Sequence, residues 1–250
     1  MTELLLLLLL AHVVGDFYLQ PQAWIDSRYR EKIRSLGLLK HIGVHLLLTA
    51  LVLSAVSYTT ISAPGWSWIS AWLAIVLSHY AIDIWKSYQR GGLRFFLIDQ
   101  VAHIVVLVGV SVGIASVGTS MSEGLSTAAL TWFTIPTFEL SVVLGYLTLA
   151  TPLNVTISMA IAARWQPLPW TAGLSQAGAY TGIGERWLLF SLGLFDYWYL
   201  VATLVGAKLI IYSARRPTNA RHKKQQLLGS LISTVSAIVA ALMFNPNSAI

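Results

Sequence analysis

The sequence predicts an all-α, polytopic bundle of transmembrane helices. Long apolar stretches, scarce charge and a regular alternation of basic and non-basic loops predict it. Of 250 residues, 56% are hydrophobic and only 10% charged, where a soluble chain carries about a quarter charged residues. Ten Trp and ten Tyr suit a chain with two membrane–water interfaces. The formal charge of +6 is spread over short loops, the pattern of Lys and Arg holding cytoplasmic loops in place, and argues against a nucleic-acid partner. With no Cys, disulfides, thiolate metal sites and Cys nucleophiles are excluded.

A spanning helix needs about twenty mostly apolar residues. Stretches near that length run over Glu3–Leu19, Leu38–Ile61, Trp66–Tyr88, Leu93–Gly118, Phe138–Ala163 and Leu227–Phe244. Glu3–Leu19 is read as a retained first span, because a signal peptide wants a positive start and this one carries Glu3, His12 and Asp16. Glu185–Ser213 is too long for one span and is interrupted by Gly193 and Asp196, so it is read as a hairpin turning near Phe195. The segmentation gives about eight crossings, within a range of about six to eight. Arg28, Arg30, Lys32, Arg34 and Lys40 fall in one loop; Lys86, Arg90 and Arg94 in another; Arg164 and Arg186 bracket a third; Arg215, Arg216, Arg221, Lys223 and Lys224 fill the last. The intervening loops, near Pro64, Glu123 and Asp196, hold no Lys or Arg. The alternation places both termini outside and the basic loops in the cytoplasm. The outer segment Thr119–Thr137 divides a first transmembrane unit, 1–118, from a second, 119–250.

The chain has six His, and five of them fall into one pattern: His12 with Asp16, His41 with His45, His79 with Asp83, and Asp99 with His103. Each pair is spaced i, i+4, which puts both side chains on one helix face a turn apart. The pairs occupy the first four stretches, each near the end adjoining a basic loop, so a rise of about 1.5 Å per residue brings them to one depth. A central Asp in a membrane costs roughly 2.5–3.5 kcal/mol, and such groups persist when they face a bundle interior with partners. Five imidazoles and three carboxylates suit a divalent metal, with zinc, iron or manganese as candidates. Eight ligands are enough for two ions, as in bundle proteins with paired sites. A buried hydrogen-bond network and a proton or ion path are the competing readings.

Gln20, Ser78 and Gln100 are candidate partners behind the ligands. Lys86 follows Asp83 by three residues and either reaches the same layer or, the preferred reading, snorkels to the interface. Asn154 beside Pro152 marks a kinked stretch, and His222 sits among basic residues as a solvated side chain. Gly178–Arg186, with Glu185 and Arg186, is either an anion-holding helix start or a tight turn. Lys208 is placed to snorkel or to pair with Glu185 or Asp196.

His12-Val-Val-Gly-Asp16-Phe-Tyr-Leu-Gln20, His41/His45, Ser78-His79 with Asp83 and Lys86, and Asp99-Gln100 with His103 resemble the bacterial membrane family known as the domain of unknown function 3307 family. Gly182-Ile-Gly-Glu185-Arg186, Gly206-Ala-Lys208 and Leu227–Ser233 resemble its longer members, although Gln225 and Gln226 stand where an acidic residue is expected. The resemblance implies a polytopic membrane protein and no particular activity. The residues themselves suggest a membrane-embedded, metal-dependent hydrolase of a lipid-linked or amphipathic phosphoester, with membrane lipid as surroundings and Lys86, Arg94 or Arg186 neutralising the head group. A metal-ion or proton-coupled transporter and a non-enzymatic membrane regulator are the alternatives.

Overall fold

In the computed structural model, residues 2–59, 63–121, 137–165, 176–214 and 220–247 are described. The expectations placed on Glu123, Arg215 and Arg216, on the side chains of Arg221, His222 and Lys223, and on both chain ends lie outside the described residues. The described residues are all-helical, without a strand. The helices are α1 (Thr2–Phe17), α2 (Gln22–Glu31), α3 (Leu36–Thr59), α4 (Gly65–Ser87), α5 (Leu93–Met121), α6 (Thr137–Leu149), α7 (Thr151–Trp165), α8 (Gln176–Leu194), α9 (Trp198–Ala214) and α10 (Ala220–Phe244), with a 3-10 turn at Lys32–Arg34. The stretches Leu36–Tyr58, Gly65–Ser87, Leu93–Val117, Thr137–Arg164 and Lys224–Phe244 are each long and apolar enough to cross a membrane. The pair Thr2–Phe17 and Gln22–Arg34, bent by 80°, adds a sixth if counted as one span. At 16 and 17 residues, α1 and α9 reach only about 24–26 Å, short of a hydrocarbon core of about 30 Å. The first half of α8 is polar.

The chain forms two compact units, Met1–Leu140 and Ser141–Ile250. In the first, α1 packs on α3, α3 on α4, α4 on α5 and α5 back on α1, a closed ring of four helices. Its surface is apolar: Leu47 and Leu51 on α3, Ile69, Leu73 and Leu77 on α4, and Val101 and Val105 on α5 are exposed. Its interior holds His12, His41, His45, His79, Asp83, Asp99 and His103. This inversion is unstable in water and favourable in lipid, where exposed Leu and Val lose nothing.

The segment Asp26–Lys40, read from sequence as a basic loop, is largely helix α2 and its 3-10 turn. Pro21 caps α2 at the start, where a missing N–H does no harm. Lys32 ends α2 with a φ of 56°. The Lys32 ammonium donates to the Ser87 carbonyl at the end of α4 and lies over the Tyr29 and Tyr88 rings. Gly37 lets α3 approach α2: a Cβ there would lie 2.7 Å from Trp24 Cα. So α2 turns 80° away from α1 and lies against α3 and α4.

In the second unit, Pro152 lacks the N–H that would continue a helix, and α6 and α7 separate at Ala150. The hairpin expected near Phe195 is present: α8 ends at Leu194 and α9 starts at Trp198. Glu185 pairs with Lys208, and Leu189 and Leu192 pack with Val201 and Val205, so α8 and α9 run antiparallel. The contacts Arg186–Ser233 and Gly193–Asn245 make α10 parallel to α8.

Candidate metal centre

Four stripes of residues spaced by four line the inside of the first unit. One tier holds Asp16, His41, Asp83 and Asp99. About 6 Å along the helices lies a tier of His12, His45, His79 and His103. Beyond it come Leu8, Thr49, Ile75 and Leu107, then Leu4, Leu53, Ala71 and Ser111. All are buried, except that the Asp16 side chain is 9% exposed. The order inverts between neighbouring helices because α1 and α4 run opposite to α3 and α5, so i−4 on one matches i+4 on the next.

The eight side chains meet. Asp16 Oδ1 has four imidazole nitrogens around it: His45 Nε2 at 2.9 Å, His41 Nε2 at 3.4 Å, His79 Nε2 at 3.7 Å and His12 Nδ1 at 3.8 Å. Asp83 Oδ2 lies 3.4 Å from His41 Nε2 and 3.8 Å from His79 Nε2. The His41 and His79 Nε2 atoms are 3.2 Å apart, the His45 and His79 rings stack at 3.8 Å, and His103 lies 4.2 Å from His79. Three overlapping groups have ligand atoms all within 4.8 Å of one another: His12, Asp16, His45 and His79; His41, His79 and Asp83; Asp16, Asp99 and His103. Four ligands held at about 2.0–2.1 Å from a tetrahedral ion stand about 3.3–3.4 Å from each other. The separations from 3.2 to 3.8 Å are close to that edge length.

Each carboxylate is held on one side and bare on the other. Arg28 Nη1 donates to Asp83 Oδ1 at 2.6 Å. Lys86 donates to Asp99 Oδ2. Gln100 Nε2 donates to Asp16 Oδ2 at 3.2 Å and to Asp99 Oδ2 at 3.0 Å. The opposite oxygens, Asp16 Oδ1, Asp83 Oδ2 and Asp99 Oδ1, accept no hydrogen bond, and His12 Nε2, His41 Nδ1, His45 Nε2 and His103 Nε2 are also without one. His103 Nδ1 lies 2.9 Å from the Asp99 carbonyl; donating there leaves a lone pair on Nε2, the arrangement that orients metal-ligating imidazoles. A buried polar atom left unsatisfied costs about 1–3 kcal/mol, so the atoms of this cluster without a hydrogen bond call for further partners. The adjoining cavity has room for about one water, which makes about three hydrogen bonds. Nitrogen and carboxylate oxygen atoms grouped in this way could hold a cation.

The remaining candidates are placed as follows. Lys86, for which snorkelling was the preferred reading, instead turns inward to Asp99, its side chain 12% exposed. Ser78 lines the cavity and donates to the Ile75 carbonyl at 3.0 Å, and Gln20 lies half-buried in the turn before α2. In the second unit, Glu185 pairs with Lys208, which also reaches Thr234 at 2.9 Å. Arg186, 2% exposed, donates to the Leu149 carbonyl at 2.5 Å, Asn154 Oδ1 at 2.5 Å and Ser233 Oγ at 3.1 Å. It thereby satisfies a carbonyl at the helix break before Pro152. Sequence reading missed Arg28, a buried member of the centre, because it sits in a basic stretch. Its spacing of four from Trp24, which puts both on one face of α2, is the signal the sequence held.

Residues 4–132, just over half of the chain, match the family described as Protein of unknown function (DUF3307). The chain belongs to this family. The matched region contains all eight His and Asp residues of the centre, together with Arg28, Lys86 and Gln100. No curated protein and no solved structure matches the chain.

Proposed function

We propose that the first unit holds an intramembrane centre of two divalent ions, zinc, iron or manganese, and that the protein is a metal-dependent hydrolase of a lipid-linked or amphipathic phosphoester in the bacterial inner membrane. The observation that carries the metal reading is the split of every carboxylate: one oxygen held by Arg28, Lys86 or Gln100, the other bare and turned to the imidazoles. His41, His79 and Asp83 would hold one ion, and Asp99 and His103 the other. Asp16 lies in reach of both, with His12 and His45 beside it. Bound there, two ions would lower the pKa of a water and clamp the charge developing on a phosphoryl group. Arg94, exposed at the start of α5, remains free to meet an anionic head group, whereas Lys86 is engaged with Asp99.

The transporter alternative needs a polar path across the bundle. Beyond the imidazole tier the interior is filled by Leu4, Leu8, Leu53, Trp68, Ala71, Ile75 and Leu107, which favours an enzyme over an ion path. Elemental analysis of protein purified without a His tag tests the metal reading. Wild type should carry metal and His45→Ala should lose at least one position; below about 0.2 metal per wild-type chain, with no gain on adding zinc, iron or manganese, the reading fails. Phosphate release from a lipid phosphoester in vesicles, lost in Asp83→Asn, tests the hydrolase against the non-enzymatic regulator.

A further inference from the structure

The metal centre has two unlike sides. Toward the basic end, the carboxylate tier is closed by Arg28 on α2, by Lys86 and by Gln100. On the opposite side lies a cavity lined by the imidazoles of His12, His45, His79 and His103, by Leu8, Ile75, Val106 and Leu107, and by Thr49 and Ser78. Among the described residues, no carboxylate and no cationic side chain lines it. Each of the three candidate ligand groups includes a carboxylate, so an ion that uses one is drawn to the carboxylate side of the imidazoles. The cavity is therefore the space beyond the ion and not its seat.

Three properties define what that space accepts. It has room for about one water-sized molecule. Its walls are imidazole, hydroxyl and hydrocarbon, with no charged side chain among them. Its far side is the packed cluster of Leu4, Leu53, Trp68 and Ala71, deep in the apolar part of the bundle. Thr49 and Ser78 are its only hydroxyl-bearing walls.

We infer that this cavity is the exchangeable-ligand position of the metal centre, and that it takes one molecule of about the size of water: water in the resting state, and a diatomic such as nitric oxide as a surrogate. The inference rests on the metal reading above. For a hydrolase it assigns the nucleophilic water to this position, and the size of the cavity keeps a phosphate group from filling it.

The test uses the full chain in detergent, loaded anaerobically with Fe(II), with iron content measured alongside. Nitric oxide is the small probe and inorganic phosphate the large one. Wild type is expected to give an iron–nitrosyl EPR signal, unchanged by phosphate. Ile75→Phe and Leu107→Phe fill the cavity without touching a ligand, and should retain iron while weakening nitric oxide binding by at least about tenfold. If either variant fails to insert, Leu8→Ala gives the converse test, since a larger cavity should speed nitric oxide binding. Iron-loaded wild type that binds no nitric oxide, phosphate that displaces it, or binding indifferent to all three variants would overturn the inference and leave the metal reading standing. Failure of wild type to take up any metal would overturn both.

Discussion

Gly15 on α1 sits against the ring of His45 on α3. A Cβ built at Gly15 would lie 2.5 Å from His45 Cε1, 2.6 Å from Nε2 and 3.2 Å from Nδ1. Ordinary carbon contacts begin near 3.5 Å, so Gly15→Ala must move the ring or one helix by about 1 Å. Metal–ligand distances tolerate only about 0.2 Å, and His45 Nε2 is the nitrogen nearest to Asp16 Oδ1. Metal affinity should therefore fall by about 10–100-fold, the range seen when a ligand's orientation is disturbed. The helix itself should gain, since Ala is better than Gly in a helix interior by about 0.5–1 kcal/mol, partly offsetting the overpacking cost of about 1–3 kcal/mol. Titrating apo protein with zinc against a competing chelator, with far-UV circular dichroism to check the helices, separates the two effects. Gly15→Ala binding metal as tightly as wild type would refute the claim that His45 is a ligand held by this close approach.

Asp83→Asn keeps the side chain's size and removes a charged ligand, so metal content should drop; in a pure hydrogen-bond network the amide still accepts and nothing would change on elemental analysis. Arg28→Met strips Asp83 of its buried partner, which should cost about 3–5 kcal/mol in the apo protein and less after metal is added, a difference visible as a metal-dependent melting temperature. At the α8–α9 turn, hydrogen bonds from Asn247 and then Asn245 hold the Asp196 carboxyl below its ordinary value of 3.8. A depressed carboxylate stabilises the fold above that value and loses the effect as pH falls through its lower folded value. Hydrogen exchange at Gly193–Trp198 should therefore rise only on acidification below about pH 4, and Asp196→Asn should abolish the step; a rise already at pH 6 would refute this origin.

Much of the site was legible because it is built from period-four stripes. His12/Asp16, His41/His45, His79/Asp83 and Asp99/His103 each need only a helix to share a face. Their distance from the basic loops fixes their depth, and apolar length marks the helices that carry them. The hairpin near Phe195 was legible for a similar reason, a stretch too long for one span with Gly193 and Asp196 in its middle. Proximity in space between separate helices has no such local signature. Arg28 reaches Asp83 across 55 residues of chain because α2 turns 80° back over α3 and α4, and that turn depends on Pro21, on Lys32 at positive φ and on the close contact at Gly37. Lys86 could have faced lipid or the interior by sequence alone; the bare charge of Asp99 draws it inward. Which carboxylate oxygen is held and which is bare, and on which side of the imidazoles a cavity remains, follow from side chains meeting across four helices. The sequence by itself determined the helices, the stripes of His and Asp and their common depth, because those are set by residues within a turn or two of each other. Only the tertiary structure decided the counter-charges and the open face, because these are set by contacts between helices far apart in the chain.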